Sequence, residues 1–198
     1  PMRSSAASDV YKRQPETSIG IYPALGGTQR PARIAGRELC RWAVLAGNFM
    51  NAETATDLGL VTHLVDINDV PNCIKDIHAS GKPDNKYPGK PMNENSPVVK
   101  FAKKFFSDGN MAALLSGSCP EGFDAEDKTV ARQLKSLKFT APIGLAMASE
   151  RIDATASMSL DEGLQLELQG LDRIFSTEDA LEGLSALIEG RRATYKNA

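Results

Sequence analysis

The chain has 198 residues, of which 41% are hydrophobic and 24% are charged, and its formal net charge is −2. This length fits one domain of ordinary size or a core with a small appendage. The charge balance lacks the basic footprint that a nucleic-acid partner requires, and no apolar run approaches the roughly 18 residues of a membrane span. The three cysteines and two histidines form no metal-binding pattern, so we expect no metal and a cytoplasmic protein with reduced thiols.

Residues 1–14 differ in character from the rest of the sequence. They are rich in Ser, Ala and Arg and show no apolar periodicity. A Ser- and Arg-rich leader can be a transit peptide, but this one is short and contains Asp9. We therefore interpret residues 1–14 as a non-native or disordered leader, and we expect the native sequence to be truncated near Pro15.

Residues 15–67 contain two segments with the composition of strands. β-branched and aromatic residues predict a short extended segment over 17–22, and apolar residues predict a short strand over 60–65. Between them, the Gly26-Gly27 pair predicts a turn. Helix start and stop signals fill the rest, with a first cap at Thr28, a helix over 37–45 and a helix from a cap at Asn51 to Gly59.

Residues 68–140 are predicted to form a linker followed by a helical insertion. Five prolines cluster with Lys, Asn and Gly in the first part, where one short helix is predicted over 70–79. A helical pattern resumes near Val98, and Asp124 is expected to cap a further helix that ends at Lys138.

Residues 141–198 show the strongest helical pattern of the chain. Ser159 is expected to cap one helix, and Thr177 lies in a capping-box-like start of another. Each helix carries an apolar stripe, which comprises Leu160, Leu164, Leu168, Leu171 and Phe175 in the first and Leu181, Leu184 and Ile188 in the second. We interpret both stripes as core or as subunit contacts.

Four landmarks, in this order along the chain, give it a family resemblance. They are Pro-Glu-Thr-Ser-Ile-Gly-Ile-Tyr-Pro-Ala-Leu-Gly-Gly-Thr-Gln-Arg at 15–30, Ala-Glu-x-Ala-x-x-x-Gly-Leu-Val at 52–61, Ser-Met-Ser-Leu-Asp-Glu-Gly-Leu at 157–164 and Thr-Glu-Asp-Ala-x-Glu-Gly at 177–183. Together they resemble the enoyl-CoA hydratase/isomerase enzymes of the crotonase superfamily. The resemblance covers roughly residues 14–67 and 140–198.

The resemblance implies an α/β fold, namely the C-terminal part of a crotonase-like spiral of ββα units (15–67), followed after the insertion by a mostly helical trimerisation region (141–198). It implies a coenzyme A thioester as substrate, no separate cofactor, a place in fatty-acid β-oxidation, and homotrimers or hexamers of the full-length protein. In such enzymes two backbone N–H groups stabilise the charge on the thioester oxygen. These donors and one of the two catalytic glutamates are implied to lie in an N-terminal half that this chain lacks, so we expect the chain to be inactive alone.

Glu16 matches the second catalytic glutamate of the family. Hydration of a 2-enoyl-CoA adds water across a conjugated double bond, so one carboxylate activates water at C3 while the other delivers a proton to C2. The resemblance implies that Glu16 is mainly the proton donor, in a partly dry pocket that tunes its carboxyl group. Without the resemblance, a solvated Glu in a turn is the simpler interpretation.

Ala24 lies eight residues further along. Hydratases of the family often have Gly there, whose backbone N–H helps hold the water, and Ala retains that N–H. The resemblance also implies substrate contacts at five other positions, the last two with the adenosine-phosphate part of coenzyme A, and these are Gly20, Tyr22, Pro23, Tyr195 and Lys196.

Two alternatives stay open. Residues 105–138 resemble the extra helical region of 3-hydroxyisobutyryl-CoA hydrolases, so the parent enzyme can be an acyl-CoA hydrolase of the same fold. Such hydrolases usually have Asp at the position of Ala24, and we favour the hydratase because a missing carboxylate is a chemical deficit while a long insertion is not. The third hypothesis is a non-catalytic oligomerisation module.

Overall fold

The computed structural model describes residues 14–61, 64–80 and 91–197. In these ranges the chain forms helices and no β-strand, although Met50 makes an isolated bridge. The α-helices are α1 (Arg30–Ala35), α2 (Arg37–Val44), α3 (Ala52–Asp57), α4 (Val70–Ser80), α5 (Pro97–Phe105), α6 (Met111–Leu115), α7 (Lys128–Lys138), α8 (Pro142–Ala154), α9 (Leu160–Gln169), α10 (Leu171–Phe175) and α11 (Glu178–Glu189). Three 3-10 helices are formed by Glu16–Ile19, Ile67–Asp69 and Asp108–Asn110.

The predicted extended segment over 17–22 is wrong, because a 3-10 helix forms at Glu16–Ile19. Gly20 ends this helix in the left-handed conformation with φ 88°, which suits a residue without a Cβ. The N–H groups of Gly20 and Ile21 both donate to the carbonyl of Glu16. These local bonds satisfy a backbone that finds no neighbouring strand among the described residues, and this outweighs the β propensity of the side chains.

The strand predicted over 60–65 is also absent from the described residues. Leu60, Val61 and residues 64–66 have no regular structure, and residues 62–63, His63 included, lie outside the described ranges. A strand is stable only when its backbone pairs with another strand, and Val61 is instead buried without such a pair. The α/β character that the resemblance implies is therefore not visible in the part of the chain that the structure describes.

Most of the predicted helices are confirmed. Asn51 caps α3 by accepting the Thr54 N–H at 2.8 Å, and α4 forms within the proline-rich segment. Ser159 and Glu162 form a capping box at the start of α9, in which each side chain bonds the other residue's backbone N–H. Thr177 caps α11 by accepting the Ala180 N–H at 3.1 Å.

Two predicted caps are wrong. The helix expected to begin at Asp124 begins at Lys128, because Asp127 accepts the N–H groups of its first turn while Asp124 closes a separate turn. Thr28 does not cap α1, because its hydroxyl group donates to the carboxylate of Glu167.

The chain divides into two compact units. In the smaller unit, the described residues lie within 49–101 and include α3 and α4. There the backbone N–H of Asn93 donates to the Asp57 carbonyl at 2.8 Å, which fixes the segment before α5 to the end of α3. The larger unit comprises the described residues of 13–48 and 102–198, and it contains every candidate site residue.

The core of the larger unit contains a buried cation as well as apolar side chains. Arg41 of α2 is 1% exposed and donates to the Phe106 carbonyl at 2.9 Å and to Asp108 at 2.7 Å. It also donates to Asp153 of α8, so one guanidinium joins three segments. Removing one partner of such a group is costly because a buried charge is left uncompensated.

The two C-terminal apolar stripes are largely exposed in the single chain. Leu181 is 70% and Ile188 is 86% exposed on α11, and Phe175 is 52% exposed on α10. The first stripe is also divided, because Gly170 separates α9 from α10. Every helix in the described ranges is too short or too polar to span a membrane.

Candidate functional site

Glu16 begins the 3-10 helix and is half-buried. In the orientation that satisfies both groups, the Gln14 amide nitrogen donates to both carboxylate oxygens of Glu16 at 3.1 Å. The next residue, Thr17, is fully buried, and its hydroxyl donates to the Val44 carbonyl at 3.0 Å. The Thr17 carbonyl in turn accepts the Ala141 N–H at 3.0 Å. The turn that carries Glu16 is thus bonded to the end of α2 and to the start of α8.

Two glycines allow α11 to contact this turn backbone to backbone. A Cβ on Gly183 of α11 would overlap the Ile19 carbonyl, and a Cβ on Gly20 would overlap the Asp179 carbonyl. A larger residue at either position would therefore require the backbone to shift. Gly20, a predicted substrate contact, is buried against α11.

The turn after Pro23 closes around a carboxylate from a distant helix. Glu167 of α9 is fully buried and accepts the Gly26 N–H at 2.6 Å, the Thr28 N–H at 3.0 Å and the Thr28 hydroxyl at 2.5 Å. Three donors compensate for the burial of a charged group, which is otherwise expensive. Glu167 therefore determines the conformation of residues 26–28.

Tyr22 occupies the interior beside this carboxylate. It is 2% exposed, its hydroxyl donates to the Glu167 carbonyl, and the Arg151 guanidinium lies 4.4 Å from its ring centre. Burial raises the pKa of the Tyr22 hydroxyl above its ordinary value, and the positive charge of Arg151 opposes this effect. Pro23 is also buried. Tyr22 and Pro23, which were both predicted to contact substrate, thus lie inside the unit. The Tyr22 side chain contacts other residues of the protein.

Ala24 and Leu25 form the apex of the loop. Their backbone N–H groups donate no hydrogen bond within the described residues, and Ala24 is half-buried. Leu25 has φ 59° and is 76% exposed, an unusual conformation and environment for a branched apolar residue. Its carbonyl accepts the Arg30 guanidinium at 2.6 Å. The loop thus offers two backbone donors, including the predicted donor at Ala24.

Tyr195 and Lys196 lie against the turn that carries Glu16. The Tyr195 hydroxyl donates to the Ser18 carbonyl at 2.7 Å, and the Lys196 backbone N–H donates to Asp179 at 2.7 Å. The pKa of Tyr195 is raised to about 12, mainly by burial and to a smaller extent by the negative charges of Asp179 and Glu182. The structure therefore brings Tyr195 close to Glu16 in the fold, although 179 residues separate them in sequence.

Metal-ligating side chains do not cluster among the described residues, where no group of three or more His, Cys, Asp or Glu could hold an ion. Cys40 is fully buried, and burial raises the pKa of its thiol to about 12, so it is a poor nucleophile. The groups that this site can supply for a reaction are therefore a carboxyl group and backbone hydrogen-bond donors.

Glu167 is a site residue that the sequence patterns did not single out. The apolar stripe of α9 drew attention to its leucines, whereas Glu167 lies on the face of Gly163 and Gly170. A Cβ on Gly163 would overlap the Gln29 amide, and one on Gly170 would overlap Arg151. Small residues four before and three after a lone acidic residue are the signal that could have indicated a close approach here.

Comparison with known proteins agrees with this arrangement of motifs. The enoyl-CoA hydratase/isomerase family model matches residues 10–196. The chain therefore belongs to the enoyl-CoA hydratase/isomerase family, a family of enzymes.

Similar proteins include a mitochondrial enoyl-CoA hydratase of Pongo abelii, which is 27% identical over 93% of this chain and 44% of its own length. A mitochondrial 3-hydroxyisobutyryl-CoA hydrolase of Xenopus laevis is 25% identical over 96% of this chain and 52% of its own length. The crystal structure of an enoyl-CoA hydratase from Rhodobacter sphaeroides superposes with a TM-score of 0.71 and 26% identity, covering 93% of this chain and 53% of that one. The chain thus has the fold of part of an enoyl-CoA hydratase and spans about half the length of these relatives.

Proposed function

We propose that this chain supplies the Glu16 half of an enoyl-CoA hydratase active site, which adds water to a 2-enoyl-CoA with syn geometry. The single observation that carries the proposal is the position of Glu16, which starts a turn whose next residue, Thr17, is hydrogen-bonded to the end of α2 and to the start of α8, within the region that matches the family. A carboxyl group held in this way can transfer a proton in a defined direction.

In the proposed reaction, water is activated by a second carboxylate and attacks C3, and Glu16 delivers the proton to C2. Negative charge develops on the thioester oxygen, where backbone N–H groups stabilise it. The N–H of Ala24, which has no partner among the described residues, helps to hold the water. Contacts of Gly20, Tyr22, Pro23, Tyr195 and Lys196 with the thioester or coenzyme A stay a prediction.

For a protein of the relatives' length, the proposal includes the ββα spiral, a cytoplasmic location, a role in fatty-acid β-oxidation and assembly into trimers or hexamers. The exposed apolar residues support assembly, since Leu181 and Ile188 lie on one helix with 70% and 86% of their surfaces in solvent. Analytical ultracentrifugation tests assembly, because Ile188→Glu would leave a monomer where the unaltered protein sediments as a trimer. A monomeric unaltered protein would contradict it.

The second carboxylate and the donors for the thioester oxygen are proposed to come from the other half of an enzyme of that length. The chain alone is therefore proposed to be inactive. The test joins the N-terminal half of a related hydratase to Gln14 and measures the loss of the conjugated enoyl-thioester absorbance with crotonyl-CoA. Hydration by the hybrid and none by the 198-residue chain is the expected result. A soluble, trimeric hybrid without hydration would contradict the proposal.

An acyl-CoA hydrolase is the second candidate, favoured by the similarity to the Xenopus laevis hydrolase. It predicts release of free thiol from a 3-hydroxyacyl-CoA, which a thiol reagent detects in the same hybrid. Ala24 disfavours this candidate because it has no carboxylate. Stable oligomers that bind no thioester would indicate the remaining alternative, a non-catalytic oligomerisation module.

A further inference from the structure

The C-terminal tail, defined here as residues 191–197, folds back along α11 to the turn that carries Glu16. Its Tyr195 hydroxyl donates to the Ser18 carbonyl at 2.7 Å. Ser18 lies in the same 3-10 helix as Glu16, and its own N–H donates to the Pro15 carbonyl at 2.9 Å. The tyrosine thus bonds directly to the short segment whose conformation determines the direction of the Glu16 side chain.

The tail itself is held at several points by two carboxylates of α11. Asp179 is 1% exposed, and its two oxygens accept the backbone N–H groups of Lys196 at 2.7 Å and Asn197 at 3.0 Å. Glu182 accepts the Thr194 N–H at 2.8 Å and both terminal nitrogens of Arg191, at 2.6 and 2.7 Å. Such charge-assisted bonds are the stronger class of hydrogen bond, so the tail has a defined path up to Tyr195.

The residues around Lys196 are mostly acidic. A hollow of about 90 Å³ beside this residue is lined by Glu178, Asp179, Glu182, Thr194 and Lys196. Three of these five residues are acidic, and one of them, Glu182, is already paired with the Arg191 guanidinium. The tail residues contribute mainly backbone N–H groups to these contacts.

We propose that the C-terminal tail is a positioning element for Glu16, in which Tyr195 holds the catalytic turn through the Ser18 carbonyl. The inference rests on the proposed function of Glu16. Tyr195 touches no reacting atom in this arrangement and acts through the turn. Displacing a catalytic group by about 1 Å is enough to slow a reaction that depends on aligned reactants.

The test compares Tyr195→Phe with the unaltered 198-residue chain by two NMR measurements. Hydrogen exchange at the amides of Ser18 and Ile21 reports the turn, and a ¹³C titration of the Glu16 carboxyl group reports its surroundings. We expect exchange at both amides to be about fivefold faster, as for the loss of one hydrogen bond, and the Glu16 titration to shift. Exchange at Leu145 in α8 should stay the same.

Ser176→Ala is the matched control, because it removes another hydroxyl-to-carbonyl bond of the same unit, from Ser176 to Arg173 at 2.9 Å, without touching the turn. Lys196→Gln separates the two roles of the tail. Because Lys196 donates to Asp179 through its backbone N–H, which Gln retains, this change should alter neither readout.

Unaltered exchange and titration in Tyr195→Phe would overturn the proposal. Weaker binding of coenzyme A in Lys196→Gln, with the turn unaltered in Tyr195→Phe, would also overturn it and would indicate a nucleotide-binding tail instead. Both NMR readouts are independent of turnover, so failure of the hydratase assay would be distinguishable from failure of this inference.

Discussion

At the scale of single residues, the loop around Ala24 depends on a carboxylate that is remote in sequence. Glu167 lies 141 residues after Gly26 and 139 after Thr28, yet its side chain accepts hydrogen bonds from both. A local sequence pattern cannot predict that Glu167 bonds to these residues, because helix periodicity identifies only which residues share a face. Glu16, by contrast, was predictable as a candidate because its motif is contiguous, although its role stays a prediction.

Replacing Glu167 by Ala should lower the free energy of unfolding by about 3 kcal/mol or more, because three buried donors lose their acceptor. Chemical denaturation of the larger unit, followed by the fluorescence of Trp42, measures the change. Gln165→Ala on the exposed face of the same helix is the control and should alter stability by less than about 0.5 kcal/mol. A Glu167→Ala protein as stable as this control would contradict the importance of the buried carboxylate.

At the scale of elements, three helices with polar caps were predictable and the turn of Glu16 was not. Asn51, Ser159 and Thr177 accept backbone N–H groups within three residues, so local chemistry alone determines where these helices begin. The segment over 17–22 has the composition of a strand, but its conformation follows from tertiary contacts with α2, α8 and α11. Propensity is a weak guide where such contacts decide.

The contact between α11 and the turn of Glu16 should be sensitive to one added methyl group. Gly183→Ala places a Cβ against the Ile19 carbonyl, and we expect a net loss of about 1–3 kcal/mol in the free energy of unfolding despite the better helix propensity of Ala. Gly109→Ala adds the same methyl group where nothing lies within 4 Å and serves as the control. Equal stabilities of the two variants would show that the helix does not pack this closely.

The attachment of the tail to α11 should depend on acid pH. Hydrogen bonds from Arg191, and then from the Thr194 amide, lower the pKa of Glu182 from 4.5 to about 2. A lowered folded-state pKa means that the contribution of Glu182 is present above pH 4.5 and is lost as the pH falls toward 2. The Thr194 amide chemical shift should follow a transition within this window, and Glu182→Gln should abolish it. A midpoint near 4.5 in the unaltered chain would mean that the bonds do not form.

At the scale of the whole molecule, the order of the four landmarks predicted the family, while the visible architecture is helical. The α/β spiral is not represented among the described residues, which form no strand. A strand is stable only when its backbone N–H and C=O groups pair with a neighbouring strand. The sequence also could not show that the apolar stripes, on α9 and α10 and on α11, are largely exposed in the single chain. Their periodicity predicted an apolar face, but periodicity does not distinguish a core from a subunit contact.

The central claim is that Glu16 is one of the two carboxylates that hydrate a 2-enoyl-CoA. The most direct measurement is the rate of crotonyl-CoA hydration by the hybrid enzyme, with and without Glu16→Gln. Glu121→Gln, an exposed residue of the same charge, is the control. The account predicts a loss of about a hundredfold or more in kcat for Glu16→Gln and none for Glu121→Gln. Full activity of an active hybrid that carries Glu16→Gln would contradict the claim.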